Sequence, residues 1–232
     1  MKWEKELLQK PAWKEEIKNR EEKEQIAKKI AQRVQDGDVI GFGSGSTSYL
    51  TAIEIAKKVQ TEKLTITAIP TSYEIKMLCT YLEIPTLTLE ECKPDWCFDG
   101  ADEVDHDNWM IKGRGAAMFN EKLNIKSASK TYILVDESKI VNKLGTNFPI
   151  PVECNPKAIN LVKEELFRIG ATSVELRMAL KKDGPVITEN GNLILDTKFN
   201  NIDATLEKRL KNITGVIETG LFISYNIEVV TK

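Results

Sequence analysis

Asp38-Val-Ile-Gly-Phe-Gly-Ser44-Gly-Ser-Thr47 reads as a short buried strand running into a glycine-rich turn, and Ser48 to Lys58 then carries Leu50, Ile53 and Ile55 at helical spacing. Strand, glycine turn and helix open an α/β unit. The pattern repeats downstream: Leu64 to Ile69 as strand, Ser72 to Leu82 as helix, then short strands at Thr86 to Leu89 and Trp96 to Asp99. Upstream, Glu21 to Asp36 spaces Ile26, Ala27, Ile30, Ala31 and Val34 along one helical face, with Gly37 as the stop. After a Lys112-Gly-Arg-Gly turn, Ala116 to Ser129 is helical and Thr131 to Val135 is a compact strand. This order predicts a mainly parallel sheet with helices on both faces, a three-layer Rossmann-like α/β domain.

The rhythm changes at Pro149-Ile-Pro-Val, whose two prolines read as a linker or crossover. Beyond it come a helix at Pro156 to Ile169, a strand at Ser173 to Met178, and two strands about the Asn190-Gly191 turn within Val186 to Asp196. A helix at Ile202 to Lys211 and two strands within Gly215 to Val230 follow. The expected division is therefore an α/β domain of residues 1–148 and 221–232, and a smaller α+β domain of residues 149–220. Residues 1–20, with Trp3, Leu7, Leu8 and Trp13 among charges, read as an extra short helix or N-terminal arm whose two tryptophans should pack on some further surface.

Composition excludes several classes of function. The 33 Lys plus Arg nearly balance 35 Asp plus Glu, so there is no net field to hold nucleic acid. One histidine, His106, cannot supply the paired imidazoles of most zinc or non-haem iron sites, and no metal is expected. The four cysteines contain no C-x-x-C and read as reduced, mostly buried thiols. The charged N-terminus lacks the apolar core of a signal peptide, and no apolar run approaches the roughly 18 residues of a membrane span. A cytoplasmic protein without a membrane partner is expected.

Three segments offer chemistry. Gly41-Phe-Gly-Ser-Gly-Ser-Thr47 lets the backbone approach an anion while the helix behind it presents free N–H groups. It lacks the third glycine of a dinucleotide fingerprint and the Gly-Lys of a P-loop, so it is either a phosphate or carboxylate site or a tight structural turn. Phe98-Asp-Gly-Ala-Asp-Glu-Val-Asp105 releases acids from a strand end, where ligand crevices of open α/β sheets lie; Asp99 and Asp102 can face one site, hold magnesium, or belong to a solvated loop. Lys112 and Glu121 flank the next glycine turn and helix start. Around a carbonyl they would serve as oxyanion partner and proton carrier; singly, each reads as a surface charge.

Taken in order, these segments resemble one family. Gly-Ser-Gly-Ser-Thr at 43–47, Asp-Gly-Ala-Asp-Glu at 99–103, Lys-Gly-x-Gly-Ala at 112–116 with Glu121-Lys122, and Val135-Asp-Glu-Ser-Lys139 occur in the order found in ribose-5-phosphate isomerase, type A. So do Pro149-x-Pro-Val-Glu153, Asn190-Gly-Asn-x-Ile-Leu-Asp196 and Gly215-Val-x-Glu-x-Gly-Leu-Phe222, and the match runs from about Lys23 to Phe222.

The resemblance implies an aldose–ketose isomerase, free of cofactor and metal, that interconverts ribose 5-phosphate and ribulose 5-phosphate through an enediolate. It implies Glu121 as the base, Lys112 as the cation for the oxyanion, and Asp99 and Asp102 as residues that hold sugar hydroxyls and help ring opening, with Asp99 counted among the catalytic residues. Ser44, Gly45, Ser46, Thr47, Gly100, Ala101, Gly113, Arg114, Gly115, Lys23 and Lys139 complete the implied substrate site. A ferredoxin-like small domain and a homodimer or homotetramer are implied as well. Arg114 stands where many members have glycine, and Ser44 replaces the more usual threonine. The rival readings are a non-catalytic sugar-phosphate sensor and a related deaminase or acyl-CoA transferase; an attached DNA-binding unit would mark a sensor, and the first 20 residues are too few for one.

Overall fold

The computed structural model describes Trp13 and residues 16–232. Trp3, Leu7 and Leu8 of the expected arm lie outside the described residues. Trp13 packs against Tyr49, the two ring centroids 5.6 Å apart. Compactness divides the chain into two units.

The first unit holds the chain through Gly100, Asn120–Glu137 and Ile227–Lys232. Its sheet is β1 (Val39–Phe42), β2 (Thr67–Pro70), β3 (Trp96–Asp99), β6 (Lys130–Leu134) and β12 (Glu228–Val230), ordered β12-β6-β3-β1-β2. All four pairings are parallel, as the alternation of strands and helices predicts. The flanking helices are α1 (Arg20–Ala31), α2 (Ser46–Glu62), α3 (Tyr73–Tyr81) and the greater part of α4 (Met118–Ser127). The apolar positions picked out by helical spacing on α1, Ile26, Ala27, Ile30 and Ala31, are all buried. Ile26 and Ile30 join Ile40 and Phe42 of β1 and Ile55 of α2 in one core. The expected strand at Thr86 to Leu89 reduces to a single bridge between Thr86 and Ala68.

The second unit holds Ala101–Phe119 and Ser138–Asn226. Here the linker reading of Pro149-Ile-Pro-Val is corrected: Ile150–Cys154 is β7, an inner strand of the sheet β10-β7-β9-β8. Its neighbours are β8 (Ala171–Leu176), β9 (Leu193–Phe199) and β10 (Val216–Thr219), with α5 (Ile159–Arg168) and α6 (Leu206–Lys211) in the connections. Every pairing is antiparallel, so the unit has the β-α-β-β-α-β order of a ferredoxin-like domain. Pro151 survives inside it because pairing with β10 ends at Val152, and the Pro151 carbonyl on that edge accepts the Gly220 N–H at 2.7 Å. The two backbone groups of one extended residue point to the same edge, so the missing proline N–H falls beyond the end of the ladder.

Three short strands, β4 (Glu103–Val104), β5 (Met110–Ile111) and β11 (Leu221–Phe222), form a further antiparallel sheet in this unit. All three lie within this second unit. Of the two strands expected about Asn190-Gly191, only β9 is a full strand; Ile187 makes one bridge to Leu193. Among the described residues no helix is long and apolar enough to cross a membrane.

None of the four cysteines is in a disulfide; Cys79, Cys97 and Cys154 are buried and Cys92 is half-buried. Burial pushes the Cys79 thiol up to about 12, and burial assisted by the Glu153 charge pushes Cys154 up to about 11. Only thiolates react readily. Iodoacetamide at pH 8 is therefore expected to label Cys92 first on the native protein, with the other three following only on unfolding. Mass spectrometry of the peptides checks it, and early modification of Cys79 or Cys154 would contradict their burial.

Candidate active site

In the first unit, the path of the chain reverses direction across the sheet between β1 and β3. From β1 it continues to β2 on one side, and from β3 to β6 on the other. Neighbouring loops diverge at such a point, and ligands bind outside the carboxyl ends of the strands there. Gly43 and Asp99 occupy those two ends. The Gly43 N–H donates to the Phe98 carbonyl at 2.8 Å, and a side chain at Gly43 would meet Asp99 atoms at 2.3 Å. Only glycine lets the strands stay this close. Asp99, 2% exposed, has its Oδ1 fixed by the N–H groups of Ser44 (3.1 Å) and Gly100 (2.8 Å).

The helix α2 starts at Ser46, two residues earlier than its apolar spacing indicates, so the serine-rich loop lies at the helix start itself. Gly45 ahead of it has φ +94°, offers no side-chain cap, and the first turn carries no acid. The positive end of the helix is left for an anion. Lys23 adds a buried ammonium, with Nζ donating to Ser46 Oγ at 3.1 Å and lying 3.4 Å from Asp136 Oδ2. Ser44 Oγ shares a 2.8 Å hydrogen bond with Thr71 Oγ1 and donates to Ser72 Oγ at 2.8 Å. Thr47 is buried in the first turn.

Glu121 is on α4, and two amides of that helix tie it to the carboxyl end of β2. Asn120 Nδ2 donates to the Thr71 carbonyl at 3.1 Å and Asn124 Nδ2 to the Ile69 carbonyl at 3.0 Å. Glu121 is only 5% exposed, so its reading as a surface charge fails. The first unit thus gathers Lys23, Ser44, Gly45, Ser46, Thr47, Asp99, Gly100 and Glu121.

Ala101, Asp102, Lys112, Gly113, Arg114, Gly115 and Lys139 belong to the second unit. Lys112 is 2% exposed, which also rules out a surface role; its N–H donates to the Gly220 carbonyl at 2.8 Å and its Nζ lies 5.7 Å from the centre of the Phe222 ring. Gly113 takes φ +93°, a left-handed turn that carries the chain toward α4. Asp102 Oδ2 accepts the Arg114 N–H at 3.0 Å, while Arg114 itself is exposed. Lys139, half-buried, places Nζ 4.9 Å from the centre of the Phe148 ring.

The remaining acids of the 99–105 segment serve structure. Glu103, fully buried, accepts the N–H groups of Gly145, Asn147 and Phe148, and Asp105 caps its own turn through Asp107 and Trp109. His106 is exposed, its ring 3.2 Å from Asn142 Oδ1. Sequence reading missed Thr71, Ser72 and Asp136. For Thr71 and Ser72 a signal was present, since both follow β2 at the carboxyl edge of a parallel sheet. Asp136 lies within the quoted Val135–Lys139 motif, but only the fold shows that it stands beside Lys23.

A family model described as ribose 5-phosphate isomerase A (phosphoriboisomerase A) matches residues 67–232. The chain is 46% identical over 208 residues to ribose-5-phosphate isomerase A of Methanocaldococcus jannaschii, covering 89% of this chain and 92% of that one. It is 47% identical over 205 residues to the Synechococcus protein of the same name, covering 87% and 88%. The solved structure of the Methanocaldococcus jannaschii isomerase superposes with a TM-score of 0.86 at 45% identity, covering 90% of this chain and 94% of that one.

Proposed function

This chain belongs to the ribose 5-phosphate isomerase A family and is an aldose–ketose isomerase of the pentose phosphate pathway, and from that premise we propose that Glu121, Lys112 and Asp99 carry its reaction. The interconversion of ribose 5-phosphate and ribulose 5-phosphate moves one proton between neighbouring carbons. The observation that carries the assignment is burial: Glu121 is 5% and Lys112 2% exposed, although each carries a charge in its ordinary state. Charged side chains are costly to withdraw from water, and such placement is characteristic of functional sites.

Asp99 takes the proton of the anomeric hydroxyl and returns it to the ring oxygen as the bond between C1 and that oxygen breaks, which opens the sugar to its C1 aldehyde. Glu121 then removes the proton on C2. The electron pair of that C–H bond forms the C1–C2 double bond, and the carbonyl pair moves onto O1. Lys112 stabilises that oxyanion by charge and hydrogen bonding. Glu121 returns its proton to C1, the O2 proton passes to O1, and a ketone is left at C2. No electron leaves the substrate, so the chemistry requires no redox cofactor. Asp102 holds a sugar hydroxyl, with Lys139, Arg114 and the backbone of Gly100, Ala101, Gly113 and Gly115 as further substrate contacts.

Ser44, Gly45, Ser46, Thr47 and Lys23 bind the 5-phosphate. The start of α2, free of acids, and the Lys23 ammonium support this reading. Free ribose is expected to be a far poorer substrate than its 5-phosphate. Ser46→Ala combined with Thr47→Val is expected to weaken substrate binding by about 1–3 kcal/mol through loss of two hydrogen bonds to a charged group. A coupled assay of ribulose 5-phosphate formation over a panel of sugars measures both. Equal turnover of free and phosphorylated ribose would overturn the phosphate assignment. We propose a cytoplasmic setting and, on the family resemblance, a homodimer or homotetramer.

A further inference from the structure

The loop that carries Lys112 is gripped by a side chain from a distant part of the same unit. Arg177 follows β8, and its backbone is anchored on both sides: its N–H donates to the Ile194 carbonyl and its carbonyl accepts from Val186, each at 2.9 Å. Its guanidinium is a planar fork with five N–H donors. One edge meets Asp196 of β9, Nε donating to Oδ2 at 2.8 Å and Nη2 to Oδ1. Nη1 donates to two successive carbonyls, those of Gly113 and Arg114, both at 2.9 Å.

The peptide joining Gly113 to Arg114 is therefore held at both ends. Its carbonyl accepts from Arg177, and its N–H donates to Asp102 Oδ2 at 3.0 Å. That peptide cannot rotate without breaking a charge-assisted bond at each end. It sits directly after Lys112, whose own N–H is held by Gly220 at 2.8 Å, and Gly113 is in a left-handed conformation that leaves the turn easily altered. We propose that Arg177, oriented by Asp196, is a positioning residue that sets the backbone of the Lys112–Arg114 turn and thereby the placement of the Lys112 ammonium and the Asp102 carboxylate. The proposal rests on the catalytic reading of Lys112. A lysine at 177 keeps the charge but has no fork to span Asp196 and two carbonyls at once.

The test compares steady-state kinetics and thermal stability of Arg177→Lys, Asp196→Asn, Lys112→Ala and the Arg177→Lys/Lys112→Ala double variant. Arg209→Lys is the control: Arg209 also joins an aspartate, Asp203 at 2.7 Å, to a carbonyl, that of Ile169 at 3.3 Å. Small misplacement of a catalytic group costs up to about 100-fold in rate. Arg177→Lys is expected to lower kcat by about 10- to 100-fold with KM changed by less than about 3-fold. Asp196→Asn should fall in the same direction by a smaller factor, and keeps the test open if the first variant does not fold. Arg209→Lys should keep kcat within about 2-fold.

In the Lys112→Ala background, Arg177→Lys should cost little more, because the group it positions is gone. A large loss in Lys112→Ala with Arg177→Lys and Asp196→Asn both no worse than Arg209→Lys would overturn the positioning role and leave Lys112 standing. Full additivity in the double variant would also overturn it, marking Arg177 as structural. An unchanged kcat in Lys112→Ala would overturn the catalytic reading of Lys112, and the inference with it.

Discussion

Glu121→Gln is expected to reduce turnover by about 10²–10⁴-fold, the usual contribution of a positioned acid–base group. The amide preserves the shape of the side chain and removes its basicity, so substrate binding should largely survive. The same variant should lose exchange of the substrate C2 proton with solvent, since that exchange requires the enediolate. Proton exchange followed by NMR in deuterated water separates this outcome from a general loss of structure. Near-normal exchange and turnover in a folded Glu121→Gln protein would move the base elsewhere, and Asp99 would be tested next.

Gly43→Ala should be strongly damaging at the ends of β1 and β3. The added Cβ would lie 2.3 Å from the Asp99 carboxyl carbon and 2.5 Å from the Asp99 Cα, so a rotamer change alone cannot relieve the clash. Overpacking of this kind costs about 1–3 kcal/mol, or more where backbone must move. At about 2–4 °C per kcal/mol for a chain of this size, Tm should drop by about 2–12 °C. Activity should fall at least about 10-fold, because the Asp99 carboxylate is displaced from the N–H groups of Ser44 and Gly100. Gly115→Ala, where a Cβ meets nothing within 4 Å, is the stability control and should shift unfolding by no more than about 0.5 kcal/mol. Calorimetry of the two variants side by side decides the matter; a Gly43→Ala protein as stable and active as the parent would show that β1 and β3 tolerate separation at this point.

Much of the α/β unit was legible from local pattern. Ile26, Ile30, Leu50 and Ile55 fall on the buried faces that helical spacing indicates, and the alternation of β1, α2, β2 and α3 leaves a parallel sheet as the simple solution. The ordered motifs made the family legible too, since seven segments in sequence are far more restrictive than any one. Pro149-Ile-Pro-Val misled because proline's effect depends on what lies beside its nitrogen. Beside a continuing strand it breaks the ladder, whereas beyond the end of β10 it costs nothing, and no local pattern reveals where a neighbouring strand stops.

Donor type and motif order are properties of the chain, so the residues able to do the chemistry were legible in it: the serine–glycine turn, the acids after β3, and the Lys112 and Glu121 charges. Folding selected which of those charges are withdrawn from water. It assigned Glu103 to backbone N–H groups some 40 residues away, brought Asp136 to Lys23, and closed Arg177 and Asp196 onto the turn after Lys112. Such pairings depend on distance and desolvation between segments remote in sequence, and those quantities exist only once the chain has packed.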